Sequence, residues 1–273
     1  MKPELLIDGE LRGASDGSAF EIVDPATELV IGHAPDASDA DVDEAIAVAR
    51  RAFDQTSWPA DREFRARCLR QLKSALDEDF AALQEITVAE AGVPVVWTDG
   101  PQLRIPIDGL DYVASLLESY QWEHDLGLAK PMGIATQRRV YREPAGVVAA
   151  ITPWNFPNQI TLAKLGPALA AGCTVVLKPA QDTPWTGAEL GRLIAEQTEI
   201  PPGVVNVVTS SRAAAGRAHR VQRVHTRGPG LRADHQADRS PGPGTTRRSK
   251  AWPPRCARSR SAIPAIRAPS AAR

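Results

Sequence analysis

Cysteine is scarce in this chain: Cys68, Cys173 and Cys256 are the three present, an odd number without the paired spacing of a disulfide or zinc site. A disulfide-stapled scaffold is thereby excluded, as is a structural zinc module. No charged-then-apolar leader follows Met1 and no apolar run reaches 18 residues, so neither secretion nor membrane spanning is expected. A reducing cytoplasm is the expected setting. The G-x-G-x-x-G fingerprint is absent as well. Finally, residues 212–273 have no Phe or Tyr, a single Leu (Leu231) and a single Lys (Lys250).

What that last stretch does have is arginine. Residues 212–273 hold 14 Arg and one Lys against two acids, Asp234 and Asp238, a net of +13, whereas residues 1–211 hold 17 bases and 31 acids, a net of −14. The overall charge of −1 is a cancellation between two unlike pieces. With seven Pro and no apolar run worth burying, residues 212–273 are expected to be disordered. Three origins compete. A basic arm would neutralise nucleic-acid phosphates; a solvated tail would have no role; and a GC-rich message translated out of register would produce this Arg, Ala, Pro, Gly and Ser. The near-absence of Lys favours the third, and an acidic body has no evident use for a basic arm. Nucleic acid is therefore not the expected partner.

The body divides at about residue 142. Leu5–Glu10 reaches the turn pair Asp8-Gly9 and reads as a short hairpin. Phe20–Val23 alternates as a half-buried strand, and Leu29–Gly32 follows the turn Asp24–Thr27. Ser38 precedes a helix with Val42, Ala45, Ile46, Ala49 and Phe53 on one face. A second helix after Pro59 carries Phe64, Cys68, Leu69, Leu72 and Leu76. A third runs to Gly92 and a fourth from about Ile105 to Tyr120. These stripes are core faces. Gly133–Arg142 reads as an extended polar strand leaving the body.

From Arg142 the pattern becomes strand and helix in alternation: Val147–Thr152, Gln159–Ala171, Thr174–Lys178, Thr183–Glu196 and Val204–Val208. Continuous apolar runs mark strands covered on both faces, as in parallel sheets. Gly172 falls where a helix needs a left-handed stop, and Thr183-Pro184 fits a cap followed by a first-turn proline. The fold class is α/β, an incomplete doubly wound parallel sheet preceded by helices and a hairpin region. Its third strand is expected to present an unpaired edge.

Two segments carry the chemistry. Pro153-Trp154-Asn155-Phe156-Pro157 ends the first of these strands and brings one carboxamide to the carboxyl edge of the sheet, where open α/β folds bind ligands. Lys178-Pro179 ends the second. Asn155 by itself could be a helix cap. Lys178 ending a buried strand is costly unless its ammonium reaches solvent or a ligand. Strand, amide, helix, strand and lysine in this order resemble the cofactor domain of the aldehyde dehydrogenase superfamily, from about residue 5 to about residue 210. Asp24-Pro25-Ala26-Thr27 agrees with that family's opening.

The resemblance implies an oxidoreductase that converts an aldehyde to a carboxylate with NAD or NADP. It makes Asn155 the amide that donates to the oxyanion, a neutral donor needing no deprotonation. It makes Ile151, Thr152, Pro153 and Trp154 the floor beneath the nicotinamide side of the cofactor, and Lys178 a donor to the adenosine ribose. Gln181 stands where many members have a glutamate; it keeps one acceptor and removes the charge that would repel a 2′-phosphate, so either dinucleotide is admitted. No metal is implied. A strand at 133–142 belongs, in that family, to a hairpin that pairs subunits into a homo-oligomer; from the residues alone it could equally be an ordinary exposed edge. The family's Gly-Ser pyrophosphate turn, Glu-Leu-Gly-Gly general-base segment and Gly-Gln-x-Cys nucleophile do not follow residue 210. The 273-residue chain is therefore expected to be an inactive product with residues 1–211 as its family portion. The alternatives are a non-catalytic partner subunit and a nucleic-acid-binding protein acting through the basic stretch.

Overall fold

The Asp8-Gly9 pair folds the chain back on itself. Both residues have positive φ, 56° and 83°, the backbone that a two-residue hairpin turn demands. It joins β1 (Leu5–Ile7) to β2 (Glu10–Arg12) in an antiparallel pair. The computed structural model describes residues 2–212. Within them, β1 lies inside a five-stranded sheet of order β2-β1-β9-β8-β7, with β7 (Val147–Ile151), β8 (Thr174–Lys178) and β9 (Val205–Val207) mutually parallel. Leu6 pairs antiparallel with Val207, which is why all three β1 residues are buried. The expected free edge on the third strand is therefore absent: β1 covers it, and the outer strands of this sheet among the described residues are β2 and β7.

Helices cover both faces. α5 (Pro157–Ala170) and α6 (Pro184–Gln197) are the crossovers between the parallel strands. α1 (Asp39–Gln55) packs on one face, where Leu5, Ile7, Val147, Val176 and Val208 meet Val42, Ala45 and Ala49. On the other face Leu6, Val175, Leu177 and Val207 meet α5 and α6, backed by α2 (Arg62–Glu78) and α4 (Arg104–Ser119). Successive residues of each strand thus serve opposite layers, and each fully buried Leu or Val contributes about 2 kcal/mol. Cys68 and Cys173 are small residues of this interior.

Local signals set the boundaries. Ser38 caps α1 in a capping box with Asp41, whose side chain accepts the Ser38 N–H at 2.9 Å. α3 (Phe80–Ala91) ends at Gly92 with φ of 64°. After α5, Gly172 has φ of 85°, and a Cβ there would lie 2.9 Å from the Pro59 carbonyl oxygen, so glycine is required twice over. Arg65, 1% exposed, holds this corner with donations to the carbonyls of Ala170 (3.1 Å), Trp58 (2.8 Å) and Pro59 (2.9 Å).

Two ribbons stand apart from the central sheet. β3 (Ala19–Val23) pairs with β4 (Val30–Pro35), with a register shift between Ile22 and Val23. β5 (Glu123–Ala129), which was not anticipated, pairs with β6 (Thr136–Tyr141). The strand expected at 133–142 is thus half of a hairpin and not the edge of a body sheet. Its tip exposes Leu128 (76%), Met132 (97%) and Ile134 (66%). No helix among the described residues is long and apolar enough to cross a membrane.

Candidate active site

The parallel strands place three chain segments together at their carboxyl ends. Ile151 is in register with Lys178, the Thr152 N–H donates to the Lys178 carbonyl at 3.1 Å, and the Val208 N–H donates to Leu177 at 2.9 Å. The turn 151–155, the segment 178–181 and the loop 209–211 therefore share one end of the sheet, where this class of fold binds ligands.

Buried polar contacts clamp the first of these. Asn158 Nδ2 donates to Thr87 Oγ1 at 2.9 Å, Thr161 and Thr152 hydroxyls lie 3.3 Å apart, and Gln102 Nε2 donates to the Asn155 carbonyl at 3.0 Å. The Asn155 side chain is exposed and takes no hydrogen bond among the described residues. The N-cap position of α5 is Phe156, without a side-chain capping bond. Asn155 is thus not spent on capping. Its amide stands free beside a helix start whose first-turn N–H groups favour negative charge.

Of the other expected residues, Ile151 and Trp154 are 50% and 57% exposed, Thr152 is buried and Pro153 is half-buried. Lys178 is half-buried, and its Nζ donates to the Ser210 carbonyl at 3.1 Å, with Pro179 O at 3.5 Å. Burial lowers its pKa, and the negative charge of Asp36 opposes that shift. Trp154 and Gln181 line one cavity of about 490 Å³, together with Ile22, Glu90, Thr183 and Ser211. Asn155 and Lys178 lie outside that lining.

Thr183 occupies the N-cap position of α6, as expected, but makes no capping bond, and its Oγ1 is buried without a partner. Glu90 does the capping from α3: its carboxylate accepts the Trp185 N–H at 2.7 Å and the Thr186 N–H at 2.9 Å. Burial pushes the Glu90 carboxyl up to about 7, against the downward pull of those amides. Glu90, Gln102 and Asp36 were not legible as site residues. Asp36 lies in a stretch of sequence rich in acids, and no local pattern marks Glu90 or Gln102.

No thiol of the described residues serves the site. Burial pushes Cys68 up to about 12, and Cys173 immediately precedes β8, at the end of the strand opposite Lys178. The described residues hold no cluster of three His, Cys, Asp or Glu placed for a metal. Arg212, assigned by charge to the basic stretch, is tied to the body: its N–H donates to Ser210 Oγ at 3.1 Å, and its guanidinium meets Asp16 at 3.2 Å and Asp36 at 3.5 Å. Disorder, translation out of register and nucleic-acid binding were read from residues that, beyond 212, lie outside the described ones, as do Cys256 and His219, His225 and His235.

The profile of the aldehyde dehydrogenase family matches residues 12–225, past the boundary at 211 drawn from charge. Among similar proteins is the 3-succinoylsemialdehyde-pyridine dehydrogenase of a Pseudomonas species, 37% identical over 222 residues, covering 78% of this chain and 43% of that protein. The crystal structure of an NAD-dependent aldehyde dehydrogenase from Sinorhizobium meliloti superposes with a TM-score of 0.73 at 34% identity, over 80% of this chain and 43% of that one. An aldehyde dehydrogenase C mutant from Pseudomonas syringae, solved with NAD+ and octanal, gives 0.71 at 32% identity, over 79% and 42%. The chain thus spans well under half the length of the relatives it matches.

Proposed function

Because the chain belongs to the aldehyde dehydrogenase family, we propose that its body is the dinucleotide-gripping and oxyanion-donating portion of an NAD(P)-dependent aldehyde dehydrogenase. The observation that carries this is the uncommitted Asn155 amide in the turn that follows β7, a strand whose last residue, Ile151, is in register with Lys178 on β8. A dinucleotide fits the residues present: a half-buried ammonium with donors to spare, a cavity flanked by Trp154 and Gln181, and a turn clamped by buried hydrogen bonds. When bound, its nicotinamide supplies the acceptor for the two electrons an aldehyde gives up on oxidation.

The chain's own residues do the rest. Asn155 Nδ2 donates to the substrate oxygen as negative charge gathers there, and the open start of α5 favours the same charge. Gln102 and Asn158 keep the turn from swinging away. Lys178 and Gln181 hold the ribose, and Gln181, being neutral, tolerates NAD or NADP. Attack on the aldehyde needs a thiolate and hydrolysis needs a base. Neither family segment occurs in this sequence, so the chain by itself binds nucleotide without turning over aldehyde. We further propose that the basic stretch is translated out of register. The β5–β6 hairpin pairs the chain with another subunit, and its exposed Leu128, Met132 and Ile134 support that role. Buried, unpaired Cys68 and Cys173 suit a reducing cytoplasm.

The test is an assay of the purified 273-residue chain against a panel of aldehydes with NAD+ and NADP+, alongside NADH and NADPH titrations followed by fluorescence. Saturable binding without turnover is expected. Turnover lost on Asn155→Ala would show the chain to be a working enzyme, and absence of any binding would overturn the cofactor assignment.

A further inference from the structure

The loop that follows β9 is fastened to the exit of β4 at every residue. Thr209 Oγ1 donates to the Pro35 carbonyl at 2.6 Å, and the Ala37 N–H donates back to the Thr209 carbonyl at 2.9 Å. Between them sits Asp36, 7% exposed. Its Oδ1 accepts the Ser210 hydroxyl at 2.8 Å and the Ser211 N–H at 3.0 Å, and its Oδ2 accepts the Ser211 hydroxyl at 2.8 Å. The carbonyl of the same Ser210 is what receives Lys178 Nζ at 3.1 Å. One carboxylate thus fixes the residue that fixes the lysine.

We propose that Asp36 is a positioning residue for Lys178, acting through Ser210. The inference rests on the assignment of Lys178 to the dinucleotide. An ammonium has three donors; the short contact to Ser210 uses one and aims the group, leaving donors for a ligand. Asp36 also supplies the counter-charge that opposes the burial cost of that ammonium. Burial would raise the Asp36 carboxyl itself, but hydrogen bonds from Ser211 and Ser210 prevail and hold it below the ordinary range, so it is charged at neutral pH. The other charges nearby are Arg212, on Asp36 at 3.5 Å, and Asp16, which Arg212 also meets. Glu21 of β3, Glu90 of α3 and Asp182 line the neighbouring cavity.

The experiment uses the full chain with its lysines reductively methylated with carbon-13, Lys178 being assigned by Lys178→Arg. In Asp36→Asn the Lys178 resonance is expected to titrate at lower pH than in the parent. NADH and NADPH binding, followed by fluorescence, is expected to fall away at correspondingly lower pH. Ser210→Ala keeps the carbonyl and both charges and loses the hydroxyl tether to Asp36, together with the acceptor of the Arg212 N–H. It is expected to weaken nucleotide binding several-fold with little change in the Lys178 titration, and it decides the matter if Asp36→Asn does not fold. An unchanged Lys178 titration in folded Asp36→Asn overturns the proposal, as does unchanged binding in Ser210→Ala where Lys178→Ala weakens it. If the titration moves but Lys178→Ala leaves binding intact, Asp36 acts on Lys178 as proposed and the dinucleotide assignment of Lys178 falls. If the parent binds neither nucleotide, that assignment again falls and the Lys178 titration alone decides.

Discussion

Glu90 offers a sharp test of how α3 and α6 are joined. Its carboxyl is 3% exposed, sits against two backbone amides and is raised by burial from 4.5 to about 7. Between those values the native protein binds a proton that the unfolded chain has released. Stability therefore falls as pH rises from about 4.5 through 7, the reverse of an ordinary salt-bridged carboxylate. At about 1.4 kcal/mol per pH unit, a span of about 2.5 units gives roughly 3 kcal/mol as an upper bound. Glu90→Gln removes the proton linkage. It keeps one acceptor and turns an NH2 toward the second amide, which costs about 1–3 kcal/mol. The parent should therefore exceed the variant in stability at pH near 5, and the gap should close or reverse near pH 8. Urea titrations of both proteins, followed by circular dichroism at several pH values, measure that gap. In melting temperature the relative change between the two ends is roughly 6–12 °C. A gap that stays constant across this range would refute the assignment of a raised Glu90 carboxyl.

Other outcomes follow from the same structure. Arg65→Met leaves three buried or part-buried carbonyls without this donor and is expected to cost about 3 kcal/mol in urea unfolding; a loss below about 1 kcal/mol would contradict the role given to it. Ser38→Ala should cost about 1 kcal/mol by removing the α1 cap. Asn155→Ala should leave unfolding within about 0.5 kcal/mol of the parent, because the amide caps nothing. Met132→Glu together with Leu128→Glu should lower the molecular mass seen by sedimentation equilibrium, if the hairpin joins subunits, without altering the circular dichroism spectrum.

Much of the local structure was legible because its causes are local. Ser38 announces the start of α1, Asp8-Gly9 the first turn, Gly172 the exit of α5 and Pro184 the first turn of α6. The apolar runs of β7 and β8 located the sheet, and with it Asn155 and Lys178. What escaped was set by partners distant in sequence. Nothing near Leu6 reveals that it pairs with Val207, and nothing near Thr183 reveals that Glu90 displaces it as the cap of α6. The Gln102 and Asp36 contacts have the same character: each is a side chain reaching a backbone or hydroxyl group in a different element. β5 was missed because its burial pattern is almost wholly exposed and carries no alternation to find.

The insertion of Leu5–Ile7 beside β9 bears on how the chain is made. β1 pairs locally with β2, but its other edge must wait for β9, some 200 positions later in the sequence, before it finds a partner. Until then one edge of the β1–β2 hairpin, carrying the apolar Leu5, Leu6 and Ile7, is open to chaperones and to other nascent chains. Closing so wide a loop is slow compared with forming a helix. Synthesis halted shortly before Val205 would leave the amino-terminal hairpin without a docking place, whereas release just past Val208 would let the sheet close around it.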